Sequence, residues 1–306
     1  MRYKEIKKNI NRICLSIFVF IGIVSALQVV SLLLFSVVRI IPHEKTVELE
    51  IARKIFDGFS YLIGYIFAIL FYKAAFKRFF QPMKLRFCVG SHPIASVFAA
   101  LGMLLAISNF VGIFNFGGSE VSFQKYQDYD IVLLVFTSVL IPAFCEELFF
   151  RGLILTNLLP HGKGFAIIAS SAIFGLVHGN HDQILFATLS GLILGWLYCE
   201  TESLYCGVIV HIFNNLIATI ETVLLGNLSE DLAIKICILI EFSVLLFGVI
   251  SIVYLLFMRK REPKNEYPQD CTRFTLTEYM KGFFSLAMIV FICYVVLNEI
   301  VYVYFS

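Results

Sequence analysis

Three short polar patterns interrupt the long apolar stretches of this 306-residue chain. The first is Pro142-Ala143-Phe144-Cys145-Glu146-Glu147-Leu148-Phe149-Phe150-Arg151, two adjacent carboxylates followed by an arginine. Ionised side chains are costly in hydrocarbon, so two acids side by side at membrane depth point to function. On a helix Glu147 and Arg151 lie four apart and share a face, where they can pair. Glu146 is turned about 100° from Glu147 and points elsewhere, which leaves one acid available for chemistry. The second pattern is Phe174-Gly175-Leu176-Val177-His178, and the third is His211-Ile212-Phe213-Asn214-Asn215. His211 and Asn215 again share a helical face. Polar groups in an apolar medium seek one another, so the three patterns are expected to converge on one wet pocket. A glutamate with a histidine can hold and deprotonate a water. His211 and Asn215 can donate hydrogen bonds to a developing oxyanion. Together these residues suit hydrolysis of a carbonyl compound, a peptide bond above all. A second route stays open, because Glu146, His178 and His211 are a two-histidine, one-carboxylate set of the kind that holds catalytic zinc with an open fourth position. Neither H-E-x-x-H nor G-x-S-x-G occurs, which disfavours zincin-type and nucleophile-elbow serine chemistry.

The elements that must carry these residues are membrane helices. Hydrophobic residues make up 59% of the chain and charged ones 15%, with a mean hydropathy of +0.86. Soluble domains carry about 25% charge. The reading is an all-α, polytopic transmembrane bundle of about eight to nine spans, at about 13–41, 55–76, 94–116, 130–157, 165–178, 183–199, 204–225, 232–258 and 283–305. The first run is too long for the apolar region of a signal peptide and reads as a retained span. The fifth is short. Pro142 interrupts the fourth, and a proline there frees a carbonyl one turn earlier. Three stretches follow: N-terminal helices over 1–129, a catalytic core over 130–225, and C-terminal helices over 226–306. Lys and Arg concentrate in the N-terminus, in Lys73 to Arg86 and in the loop Arg259 to Lys281, which places the N-terminus in the cytoplasm of a plasma-membrane protein. That last loop, with Pro263 and Pro268, is the linker candidate. The net charge of +2, without a basic patch among stacking aromatics, gives no reason to expect nucleic acid. The partners are the lipid bilayer and a membrane-associated peptide or protein.

Other patterns have plainer readings. The eight cysteines are scattered without a C-x-x-C pair and read as reduced, buried hydrophobes. Ala187, Gly191 and Gly195 form a small-residue ladder for close helix packing. Trp196 and Tyr198 read as interfacial anchors. His43, His92 and His161 fall in loops without an assigned role, and His181 is at most a substrate-side accessory. A transporter would show paired interrupted helices in two halves, and no such symmetry is visible.

In their order and surrounding text, the E-E-x-x-x-R, F-x-x-x-H and H-x-x-x-N patterns resemble the CPBP intramembrane proteases. That family includes type II CAAX prenyl endopeptidases and the bacteriocin-processing or immunity proteins called Abi. The likeness runs from about Asp130 to Leu225. By position it implies that Glu146 and His178 activate water, that Glu147 and Arg151 form a structural ion pair, and that His211 and Asn215 form the oxyanion side. It implies an intramembrane endopeptidase that is either a metalloprotease, with zinc on Glu146, His178 and His211, or metal-free and glutamate-dependent. A catalytically idle immunity or scaffold protein with the same motifs is the alternative.

Overall fold

The computed structural model describes residues 3–36, 46–83, 85, 87, 91–114, 126–179, 181–259 and 274–305. Among them there are helices and connecting turns but no strand. The helices are α1 (Tyr3–Ser36), α2 (Thr46–Ala75), α3 (Pro93–Phe114), α4 (Asp128–Leu134), α5 (Ile141–Glu146), α6 (Thr156–Leu158), α7 (Lys163–His178), α8 (His181–Thr201), α9 (Leu204–Asn227), α10 (Glu230–Arg259), α11 (Leu276–Phe283) and α12 (Leu286–Phe305). Short α-helices α4, α5 and α6 belong to one continuous rod, joined by π-helical segments at Val135–Leu140 and Glu147–Leu155. Seven helices among the described residues are long and apolar enough to cross a membrane, and eight if the bent pair α11–α12 counts as one span. The chain is a multi-pass membrane protein. The fifth expected span is α7, whose 16 residues extend only about 24 Å. That falls short of the ~30 Å hydrocarbon core. Of the expected linker, Arg259 to Lys281, residues 260–273 lie outside the described residues, while its last part is helical in α11 (Leu276–Phe283) rather than a loop.

Three antiparallel helix pairs frame the bundle. In α1 and α2 the contacts step in opposite directions, from Ser16 with Ala68 to Gln28 with Tyr61 and Phe35 with Phe56. In α3 and α10 they run from His92 with Tyr254, through Gly102 with Gly248, to Asn109 with Glu241. In α7 and α8 Gly175 meets Thr188, Ser171 meets Gly191 and Ile167 meets Gly195. The small-residue ladder of α8 is therefore the seam on which α7 packs closely. Tyr198 is not an interfacial anchor: it is 1% exposed and its hydroxyl lies 2.9 Å from that of Thr156.

The π-helical segment Glu147–Leu155 occupies the centre. Its Phe149, Phe150, Leu153, Ile154 and Leu155 are all buried. One apolar cluster joins them to Ile6, Ile10, Ile13, Ile17 and Phe20 of α1, Tyr65 and Tyr72 of α2, Phe174 of α7, and Met288, Phe291 and Val295 of α12. The N-terminal, central and C-terminal stretches thus share one core. A π turn leaves carbonyls poorly matched to the α register, and side chains take them up. Thr156 donates its hydroxyl to the Arg151 carbonyl at 2.8 Å. At the end of this rod, Asn9 of α1 donates to His161 Nε2 at 2.8 Å, Arg12 donates to Asn9 Oδ1 at 2.9 Å, and Tyr279 of α11 donates to the His161 carbonyl at 2.8 Å. His161 is buried in this polar knot rather than lying free in a loop. Cys206 is disulfide-bonded, which departs from the fully reduced set expected; Cys14, Cys145, Cys199, Cys237 and Cys293 form no disulfide.

Candidate active site

Three helical elements bring the polar patterns together. Glu146 ends α5, Glu147 begins the central π segment and Arg151 lies at its middle. His178 is the last residue of α7, whose end is set by Gly179 in the left-handed conformation at φ 67°. A residue without a Cβ takes that conformation at no steric cost. His211 and Asn215 lie on one face of α9 and both reach toward the rod that carries the acids.

The expected ion pair is present. Arg151 Nη1 donates to Glu147 Oε1 at 2.7 Å, with the side chains 2% and 0% exposed. Its Nη2 donates to the Gly191 carbonyl at 3.4 Å, and its guanidinium lies 4.6 Å from the centre of the Phe174 ring. Cationic guanidinium over an aromatic face gains further attraction when both are desolvated. Glu147 Oε2 is buried without a hydrogen-bond partner and faces Gly207 of α9. A methyl group on Gly207 would fall 2.8 Å from that oxygen, so α9 can approach the acid only through a glycine.

The two glutamates do not diverge as simple helical rotation implies. His211 stands between them, with Nδ1 3.0 Å from Glu147 Oε1 and Nε2 3.8 Å from Glu146 Oε2. Both neighbouring acids can address one imidazole because its two nitrogens lie on different edges of the ring. A carboxylate accepts and does not donate, so the Nδ1–H is donated to Glu147 and Nε2 is directed toward Glu146. Arg151, Glu147 and His211 form a continuous hydrogen-bonded chain, which fixes the ring. Glu146 stands apart from it. The 3.8 Å gap to His211 is longer than a hydrogen bond, and the Glu146 side chain retains 15% exposure.

His178 donates its Nδ1–H to the Phe174 carbonyl at 2.8 Å, which leaves Nε2 as an acceptor. It is neither hydrogen-bonded nor ion-paired to Glu146. Its link to the centre is Phe174, whose ring lies edge-to-face with both His178 and His211, at 4.7 and 6.3 Å between centroids. This phenylalanine heads the F-x-x-x-H pattern, and its contact with both rings gives it a place in the site that the pattern did not specify. Asn215 Nδ2 donates to the Ser138 carbonyl at 3.2 Å, and Asn214 Nδ2 donates to Asn215 Oδ1 at 3.3 Å. Cys145 is buried in the core. The side chain of His181 lies outside what is described.

Among the described residues, no three His, Cys, Asp or Glu side chains converge on a point that could hold a metal ion. Glu146, His178 and His211 are not gathered into one such group in this arrangement.

Residues 128–217 match the family model of type II CAAX prenyl endopeptidase Rce1-like proteins. This interval holds all three motifs and every site residue named above. Among curated proteins, one from Bacillus subtilis (strain 168) described as "Putative membrane peptidase YdiL" is 28% identical over 127 residues. That alignment covers 40% of this chain and 52% of the relative, so the chain spans about half the relative's length. No solved structure matches the chain.

Proposed function

We propose that this multi-pass membrane protein, whose central segment is similar to type II CAAX prenyl endopeptidases, hydrolyses a peptide bond of a membrane-associated peptide or protein. The observation that carries the reading is Glu146. It is a partly exposed acid at membrane depth, left out of the Arg151–Glu147–His211 chain and facing the free edge of His211 at 3.8 Å. A structural acid would be expected inside that chain.

The steps follow from the donors and acceptors present. Glu146 accepts a proton from water while His178 Nε2 accepts a hydrogen bond from the same molecule and orients it. The hydroxide oxygen bonds to the scissile carbonyl carbon. The resulting oxyanion is met by the Asn215 amide and by His211, which in this scheme carries a proton on both nitrogens throughout the cycle and donates Nε2–H while Nδ1–H stays on Glu147. The Glu146 carboxyl then returns its proton to the amine nitrogen as the C–N bond breaks. Glu147 and Arg151 hold His211 in place and take no part in proton transfer.

The test is hydrolysis of a membrane-inserted peptide library by purified protein, together with metal analysis. The expected result is cleavage by metal-free enzyme that chelators leave unaffected, and a loss of about 10²–10⁴-fold in His178→Ala. Stoichiometric zinc that disappears in Glu146, His178 and His211 variants overturns the metal-free route and substitutes zinc as the group that lowers the pKa of the water.

The proposal extends to orientation. Exposed Lys4, Lys7, Lys8, Lys73, Lys77, Arg78, Lys163 and Lys281 gather at the end of the bundle where Asn9, His161 and Tyr279 meet. At the opposite end Lys54 pairs with Asp130 and Lys235 with Asp231. The cationic end belongs to the cytoplasm of a plasma-membrane protein. A cysteine introduced at Ser229 should react with an impermeant maleimide on intact cells, and one at Lys77 only after permeabilisation. The reverse pattern inverts the orientation.

A further inference from the structure

The amide of Asn215 is held from two sides, and one of its partners exists because of a proline. Pro142 has no N–H to offer the carbonyl one turn back, which is that of Ser138. Immediately before it the helix widens into π register over Val135–Leu140, and the Ile141 N–H donates to the Phe136 carbonyl. Proline and such widened turns commonly occur together, and π turns often mark functional sites. Ser138 lies on the exposed side of the rod, and its carbonyl has no N–H at position 142 to accept from. Asn215 Nδ2 meets that need at 3.2 Å. Asn214 Nδ2 holds the opposite end of the amide through Asn215 Oδ1, at 3.3 Å. The two contacts together decide which end of the amide carries nitrogen. They consume one of its two hydrogens and leave the other unassigned.

We propose that Pro142 and the Ser138 carbonyl are positioning groups for the reaction. Proline keeps the carbonyl free of the main-chain ladder, the carbonyl takes one hydrogen of the Asn215 amide, and the second hydrogen is thereby aimed at the oxyanion. This rests on the hydrolase reading above and adds two groups to it that touch neither water nor substrate. It accounts for a proline in the rod that carries the acids, four residues before Glu146. A main-chain donor at position 142 competes for the same oxygen and releases the amide.

The test is a double-mutant cycle with Pro142→Ala, Asn215→Ala and their combination, each purified in detergent. Two quantities are read: thermal midpoint, and kcat and KM on a peptide that the parent cleaves. Asn215→Ala is expected to lower kcat about 10²–10³-fold, the range for removal of one oxyanion donor. Pro142→Ala is expected to lower kcat about tenfold or more at unchanged KM and without loss of thermal midpoint, with the double variant no worse than Asn215→Ala alone. Asn215→Ala should lower the midpoint in the parent and not in the Pro142→Ala background. Asn215→Asp, which keeps the shape and removes both hydrogens, should behave as Asn215→Ala. Pro142→Gly supplies the same N–H if the alanine variant does not fold. Full kcat in a folded Pro142 variant overturns the proposal, as do midpoint losses that simply add. If the parent cleaves no peptide, the hydrolase reading fails separately, and the midpoint cycle alone decides whether position 142 governs the Asn215–Ser138 bond.

Discussion

Glu146→Gln is expected to reduce peptide hydrolysis by about 10²–10⁴-fold while leaving the fold intact, because the amide keeps the size of the acid and cannot take a proton. The geometry explains why the fold should survive. Glu146 lies 3.8 Å from His211 and, among the described residues, belongs to no hydrogen bond that ties helices together. The neighbouring acid behaves differently. Glu147→Gln breaks the chain to Arg151 and His211 in a fully buried position, so its loss of activity should come with a loss of stability. Thermal midpoints in detergent, measured beside cleavage rates, separate the two. If Glu146→Gln cleaves as fast as the parent, the water-activating role is wrong and an immunity or scaffold function becomes the better account.

Arg151→Ala should be the most damaging single truncation for folding. It leaves the Glu147 carboxylate, 0% exposed, without its 2.7 Å partner in a site where Oε2 already has none. Removing one member of a buried pair costs roughly 3–5 kcal/mol, chiefly because the other charge is stranded. The guanidinium also covers Phe174 and ties the π segment to the Gly191 carbonyl of α8, so both histidines lose a support. Lower folded yield and a lower thermal midpoint are the expected readings. Arg151→Lys should restore only part, since a single ammonium cannot serve the carboxylate and the carbonyl through a planar fork. Full thermal stability in Arg151→Ala would show the pair to be solvated and unimportant.

Much of the site could be read from local spacing, because helical periodicity is local. Glu147 and Arg151 are four apart and pair; His211 and Asn215 are four apart and face the same rod. What could not be read was longer-ranged. The contact of His211 with Glu147 joins residues 64 positions apart, and nothing in either motif says which acid the imidazole takes. The 100° rotation between Glu146 and Glu147 assumed α geometry, yet a π segment begins at that point and a histidine can accept one neighbour at each nitrogen. Apolar runs marked most spans well. Run length was less informative at α7, where a 16-residue helix places His178 at its tip rather than carrying the chain fully across. Tyr198 was misjudged for a related reason, since tyrosine suits both an interface and a buried hydrogen bond, here to Thr156.

The shared core has a consequence for biosynthesis. Ribosomes deliver α1 and α2 first, and the faces these helices show to one another's side, Ile6 to Phe20 and Tyr65 to Tyr72, are completed only when the rod carrying the acids arrives beside them. Met288, Phe291 and Val295 reach the same cluster last, from α12. A nascent chain paused before Leu286 therefore already carries every motif residue in the membrane while the wall behind Phe18 and Ile17 stands open to lipid. Maturation of the site is tied to α12, and the motif-bearing stretch is a passenger of the helices that flank it.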